Sequence, residues 1–215
     1  MKNVITLLCL LFIVSSQLVF AQGFGIKAGV LYNDLELKNS TPNTFFTNKT
    51  EQLVGFTFGA MYQKRFNKIL SLKTELGYSR KGAKFIIPSD QTIPSFKIKL
   101  DYLDLAVFGI FSVYDEISIE LGAETSFLIK NDELLIGVTS NSKSNFDIGL
   151  IGGVTYLLND KIEISTRYYY GLRNVFQFNF EDNRQGIDDG SFDFLNRNLE
   201  VSIGYFFRKN KIGKS

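Results

Sequence analysis

The chain contains no histidine and no tryptophan, one cysteine and three prolines in 215 residues. Histidine is the commonest side-chain general base and metal ligand, so its absence removes Ser-His-Asp and Cys-His catalysis and most zinc sites together. Charge of one sign is also missing. Lysine and arginine total 24 against 22 aspartates and glutamates, a formal net charge of +2. A nucleic-acid partner normally requires a clustered basic surface, which this balance does not supply. What is abundant is aromatic: 21 phenylalanines and ten tyrosines, residues that favour strands.

The first residues form a separate unit. Met1-Lys2-Asn3 is a short positive start, Val4 to Val14 an apolar run, and Ser15 to Ala21 a more polar exit ending Val19-Phe20-Ala21. This is the pattern of a secretory signal peptide over residues 1–21, cleaved before Gln22. The alternative, a retained membrane helix, needs about 20 apolar residues, and the run falls short. Cys9 lies inside it and follows Leu8 rather than a small residue, which is unlike a lipoprotein acylation site. The expected mature chain, residues 22–215, then has no cysteine, and an exported protein without disulfides is stabilised by core, size or membrane.

The remainder is read as one domain with period-two alternation. Val54, Phe56, Phe58, Ala60 and Tyr62 alternate with Gly55, Thr57, Gly59, Met61 and Gln63, the signature of a strand. The pattern recurs at about residues 23–33, 69–81, 98–113, 117–129, 145–157, 162–173 and 197–207, making eight strands. Short turns are expected around Asn67, Asp115 and Asp160. Longer polar connections are expected at 34–51, 82–96, 130–144 and 174–196. Alternating short and long connections, with an even strand count, define an all-β, eight-stranded antiparallel up-and-down transmembrane β-barrel.

Hairpin registers follow from the turn centres. A turn at Asp160 places Val154 opposite Thr166, Gly153 opposite Arg167, Ile148 opposite Leu172 and Asp147 opposite Arg173. A turn at Asp115 places Leu105 opposite Thr125, Phe111 opposite Ile119 and Ala106 opposite Glu124. Both registers keep apolar with apolar and polar with polar, as a two-faced strand pair requires.

Glycine decides which face is inside. Gly25, Gly29, Gly55, Gly59, Gly77, Gly122, Gly149, Gly153, Gly171 and Gly204 share the polar face. A water-facing sheet has no use for so many, whereas a narrow eight-stranded lumen must alternate small residues with long ones. The polar face is therefore assigned to the lumen and the apolar face to lipid. The lumen is expected to hold Lys27, Arg65, Lys73, Arg167 and Arg173 against Glu75, Asp104, Glu120, Glu124, Asp147, Glu163 and Glu200, with Tyr169 adding bulk, in a charge-paired plug that leaves no water channel.

No catalytic, cofactor-binding or metal-binding residue is assigned, and no cofactor is expected. Glu120 and Glu124 share a strand face but lie about 13–14 Å apart, too far for a conventional acid–base pair. Asn39-Ser40-Thr41 and Asn48-Lys49-Thr50 match the glycosylation sequon but require a eukaryotic route. Gly149 to Gly153 continues a strand and opens no helix, so it is not a phosphate loop. Glu181, Asp182, Asp188, Asp189 and Asp193, within the acidic stretch 180–193, do not match the EF-hand spacing and read as a solvated loop.

Three segments carry a family resemblance: Glu75-Leu76-Gly77-Tyr78-Ser79-Arg80-Lys81-Gly82-Ala83, Tyr102-Leu103-Asp104-Leu105-Ala106, and Arg167-Tyr168-Tyr169-Tyr170-Gly171-Leu172. Together they resemble the PorT-like small outer-membrane barrels. The second segment departs from the usual Tyr-Leu-Glu-Ile-Pro at Asp104 and Ala106. The resemblance implies a barrel in the bacterial outer membrane; the family's namesake is associated with protein secretion. The expected partners are membrane lipids and envelope or secretion proteins reached through extracellular loops, with no nucleic acid and a monomeric chain. Phe45 and Phe46 in 34–51, and Phe176, Phe178 and Phe180 in 174–196, are the candidate loop anchors, although the last three also alternate as strand extensions would. The alternatives are a soluble secreted lipocalin-like barrel holding an apolar ligand, which would invert the faces, and a membrane-embedded lipid-modifying hydrolase lacking its usual histidine.

Overall fold

A computed structural model describes residues 23–39, 50–85, 96–133, 140–141, 145–180 and 190–207. Eight long antiparallel strands run in order: β1 (Phe24–Asn39), β2 (Thr50–Arg65), β3 (Leu70–Phe85), β4 (Phe96–Ser112), β5 (Ile117–Glu133), β7 (Phe146–Asn159), β8 (Ile162–Phe180) and β9 (Gly190–Phe206). Between β5 and β7 a two-residue strand, β6 (Ser140–Asn141), adds to the outer part of β8. Each long strand pairs with the next in sequence, and β9 pairs back onto β1, closing the sheet. Closure leaves the long strands no free edge within the membrane, where an unpaired backbone amide would cost several kcal/mol.

The two faces are inverted relative to a water-soluble protein. Lys73 and Glu120 are completely buried, whereas Phe58 and Leu121 are more than half exposed. The outward set includes Phe56, Phe58, Leu76, Leu105, Val107, Leu150, Val201 and Ile203; the inward set mixes charged, polar and small residues with a buried apolar cluster of Ala106, Phe108, Ile110, Ile151 and Tyr169. On β4 the outward apolar positions from Leu103 to Phe111 climb ~27 Å along the strand, or ~21 Å of height at a tilt of ~40°, most of the depth of an outer-membrane hydrocarbon layer. Aromatic side chains gather at both limits: Phe24, Tyr62, Tyr205 and Phe207 near the short turns, and Phe56, Tyr78, Tyr168 and Tyr170 at the far end. This arrangement is the reverse of what the soluble lipocalin-like alternative requires.

The expected registers hold where the strands cross the membrane. Leu105 pairs with Thr125, Phe111 with Ile119 and Ala106 with Glu124 across one hairpin. Val154 pairs with Thr166 and Gly153 with Arg167 across another. The short turns are tied by side chains: Asn67 Oδ1 accepts from the amides of Ile69 and Leu70, and Asn159 Oδ1 from those of Lys161 and Ile162. These Asx contacts reverse the chain within a few residues.

Two expectations are corrected at the other end. The strands are 14 to 19 residues long, so much of what was expected as loop in 34–51, 82–96, 130–144 and 174–196 is strand. Beyond the lipid wall the alternation continues with its polarity reversed, Leu35, Ile98 and Leu100 buried inward and Glu36, Lys97 and Lys99 facing out, so the outward apolar row marks the membrane rather than the strand end. Phe176, Phe178 and Phe180 accordingly lie in β8, as their alternation also allowed. Second, the β7–β8 ladder reaches only Gly149–Gly171 at this end, and β8–β9 shifts register between Tyr170 and Asn174. The Ile148–Leu172 and Asp147–Arg173 pairs therefore fall outside the ladder. The shift also breaks the alternation: Leu172 and Arg173 are both exposed, and Arg173 lies 5.5 Å from the centre of the Phe146 ring instead of in the lumen.

Candidate functional site

The lumen concentrates the chain's buried chemistry, because every inward strand position delivers a side chain to an interior only wide enough for side chains. Near the middle, Arg167 of β8 is the hub. Its Nη1 and Nη2 donate to the two carboxylate oxygens of Glu75 on β3, both at 2.8 Å, and its Nε donates to Glu120 on β5 at 2.5 Å. Its guanidinium carbon stands 4.5 Å from the Phe108 ring centre. Lys73 bridges Glu120 at 2.6 Å and Glu163 at 2.7 Å, while Lys27 bridges Glu75 at 2.7 Å and Glu200 at 2.9 Å. This bidentate and bridged geometry is what makes charge tolerable away from water.

A second cluster lies farther from the short turns. Lys81 Nζ donates to Glu124 at 2.7 Å and Ser126 Oγ at 3.1 Å, with Asp104 3.7 Å away and the Tyr169 ring centre at 4.4 Å. Asp147 accepts from Asn196 Nδ2 at 2.7 Å, a partner replacing the expected Arg173. Glu120 and Glu124 thus serve separate cations and do not form an acid–base pair. Arg65 is placed at the turn end, where it donates to the carbonyls of Asn67 and Lys68, both at 2.8 Å.

Close packing completes the plug. A Cβ on Gly59 would lie 2.5 Å from the Leu76 carbonyl and 2.7 Å from Gly77 Cα, so two facing glycines let β2 and β3 approach on the lumenal side. Three voids beside the ion pairs measure about 20, 10 and 30 Å³, the space of one to about two waters each. Ser79 Oγ, Asp104 Oδ1 and Asn198 Oδ1 face the first without a protein hydrogen-bond partner, and a water there would satisfy them. Among the described residues no group of three or more acidic or cysteine side chains is arranged to hold a metal ion.

Sequence reasoning overlooked Lys81, Tyr102, Asn196 and Asn198 as lumenal groups, although Lys81 shares the parity of Lys73 and Glu75, and Asn196 and Asn198 that of Glu200. The loop anchors Phe45 and Phe46 and the acidic residues Glu181, Asp182, Asp188 and Asp189 lie outside the described residues, as do residues 1–21 and most of both sequons. Asp193 falls within β9 and Asn39 ends β1.

A closed eight-stranded sheet with an ion-paired interior, an apolar outer wall and aromatic limits defines a transmembrane β-barrel of the bacterial outer membrane. The sequence profile of the outer membrane protein beta-barrel domain matches residues 20–177, and the chain belongs to that family. No curated protein matches the chain. Solved structures that share its fold include two outer-membrane proteins. OprG from Pseudomonas aeruginosa is 11% identical, with 86% of this chain and 95% of that one covered and a TM-score of 0.52. Neisserial surface protein A is 18% identical, with 86% and 98% covered and a TM-score of 0.54.

Proposed function

We propose that this outer-membrane barrel is a non-enzymatic protein whose interior is a structural plug and whose outward-projecting segments bind envelope, secretion or adhesion partners. The observation that carries this reading is the lumen: its charged side chains are held by one another, and its voids are of water size. Among the described residues the voids beside the ion pairs are too small for a substrate, and no inward carboxylate is paired for acid–base work. The strands, in contrast, continue well past the membrane on the side of the longer connections, a rigid base for recognition.

On this reading residues 1–21 are removed in export, the mature chain starts at Gln22, and the barrel acts as a monomer. The segments that resemble PorT-like barrels support the barrel reading, while the secretion role of that family's namesake does not pass to this chain by resemblance. Two measurements test the reading. The purified chain in planar bilayers should give no stable porin-sized conductance. Shortening residues 181–189 should leave the barrel assembled while abolishing cross-linking to envelope proteins in the native cell. Stable conductance, or unchanged cross-linking alongside its loss in assembled Arg167→Ala, would move function into the lumen.

A further inference from the structure

The lumen holds more carboxylate than cation. Among the described residues, the four inward cations Lys27, Lys73, Lys81 and Arg167 face the four carboxylates of the hub together with Asp104, Glu124 and Asp147, seven against four, an excess of three negative charges. Most of this excess lies beyond the hub, where Lys81 is the one described cation beside Asp104, Glu124 and Asp147. Its ammonium is 2.7 Å from Glu124 but 3.7 Å from Asp104, too far for a hydrogen bond. Uncompensated charge is costly in an interior that excludes bulk water.

The void of about 20 Å³ beside Asp104 gathers oxygen atoms that no described group satisfies. Ser79 on β3, Asp104 on β4 and Asn198 on β9 line it, each more than nine-tenths buried, and Ser79 Oγ, Asp104 Oδ1 and Asn198 Oδ1 have no protein hydrogen-bond partner. Glu124 and Glu200 complete the acidic part of the wall and Lys81 and Arg167 the basic part, so its lining carries three carboxylates against two cations. One water would satisfy the hydrogen bonds and leave that charge. A single monovalent cation does both, because carboxylate, amide carbonyl and hydroxyl oxygens can replace the hydration shell of a hard ion. A divalent ion fits less well. Calcium takes about six to eight oxygens, more than these side chains offer, and its two charges overshoot the lining's excess of one.

We propose that this void binds one monovalent metal cation of sodium size, held by Asp104 Oδ1, Asn198 Oδ1 and Ser79 Oγ, with the Glu124 carboxylate beside it. The ion completes the charge pairing of the plug, so the inference rests on the plugged lumen and is independent of what the outward segments bind.

The test unfolds the full mature chain with urea in nonionic detergent micelles, followed by far-UV circular dichroism, with sodium chloride exchanged for choline chloride at constant ionic strength. Choline is too large for the void. Above the dissociation constant, each tenfold rise in sodium should raise the folding equilibrium constant about tenfold, the linkage of one ion per folded barrel. Asp104→Asn and Asn198→Leu should each flatten this dependence, while Glu51→Gln, which removes a carboxylate from the exposed outer extension, should keep it. Sodium-23 relaxation gives a second readout that needs no refolding: the folded protein should broaden the sodium line, and Asp104→Asn barrels that still show the gel shift on boiling should broaden it less. Equal stability in sodium and choline with no difference in broadening, or a sodium dependence that survives Asp104→Asn in assembled barrels, would overturn the proposal. Stabilisation by acid alone, the same in both salts, would assign the compensating charge to a proton and overturn it as well. Either failure leaves the absence of porin-sized conductance, the test of the plug itself, untouched.

Discussion

Replacing Arg167 by methionine should unfold the barrel more readily than any single lipid-facing substitution to alanine. The arginine is 3% exposed and joins three carboxylates, Glu75, Glu120 and Glu200, the last at 3.5 Å. Methionine fills much of the volume beside Phe108 but removes the cation. Among the described residues Glu75 then keeps its ion pair with Lys27 and Glu120 its pair with Lys73. Around the hub, Lys27, Lys73 and Arg167 face Glu75, Glu120, Glu163 and Glu200, so the substitution raises the local excess from one negative charge to two. Breaking a buried ion pair by removing one partner costs about 3–5 kcal/mol, because the remaining charge is left in a poorly solvated place. Urea unfolding in detergent micelles measures this, followed by far-UV circular dichroism because the chain has no tryptophan. Adding Glu75→Gln should recover part of the loss, giving a coupling of about 2–3 kcal/mol in the double-mutant cycle. A loss below about 1 kcal/mol for Arg167→Met, or strictly additive losses, would refute the claim that charge pairing holds the lumen together.

Val107→Arg puts a charge on the lipid face near mid-wall and should cost about 2–4 kcal/mol in the same urea assay, while Lys99→Gln on the outer extension of β4 should be neutral. Gly59→Val forces a side chain against the backbone of β3 and should cost about 1–3 kcal/mol or block assembly, seen as loss of the gel shift on boiling. Lys81→Met strands Glu124 and Asp104 and should destabilise by more than Lys84→Met, whose exposed pair with Glu51 is worth under about 1 kcal/mol.

The transmembrane part of the barrel was legible in the sequence because lipid outside and a crowded interior impose a strict two-residue period. Leu105 opposite Thr125 follows from the position of Asp115 alone, since a tight turn sets every pair below it. Much of the strand extensions was missed because the polarity of the alternation reverses above the membrane: Leu35, Ile98 and Leu100 are buried inward while Glu36, Lys97 and Lys99 face out, so the outward apolar row that marked each strand ends before the strand does. Arg173 was misplaced because a register shift leaves no mark in residue type. The lumenal residue types could be read, but not their partners. Lys73 meets Glu120 from a strand two places away and Glu163 from across the barrel, contacts set by strand tilt and side-chain reach rather than by sequence spacing.

The central claim is that this closed barrel stands in the membrane with its charged face inward. The direct measurement is a cysteine scan of residues 103–108, one substitution at a time in the assembled protein, with labels delivered from the lipid phase. Positions 103, 105 and 107 should label, and positions 104, 106 and 108 should not. Labelling of 104, 106 and 108 instead, or of all six alike, would contradict the assignment of the faces and with it the fold's relation to the membrane.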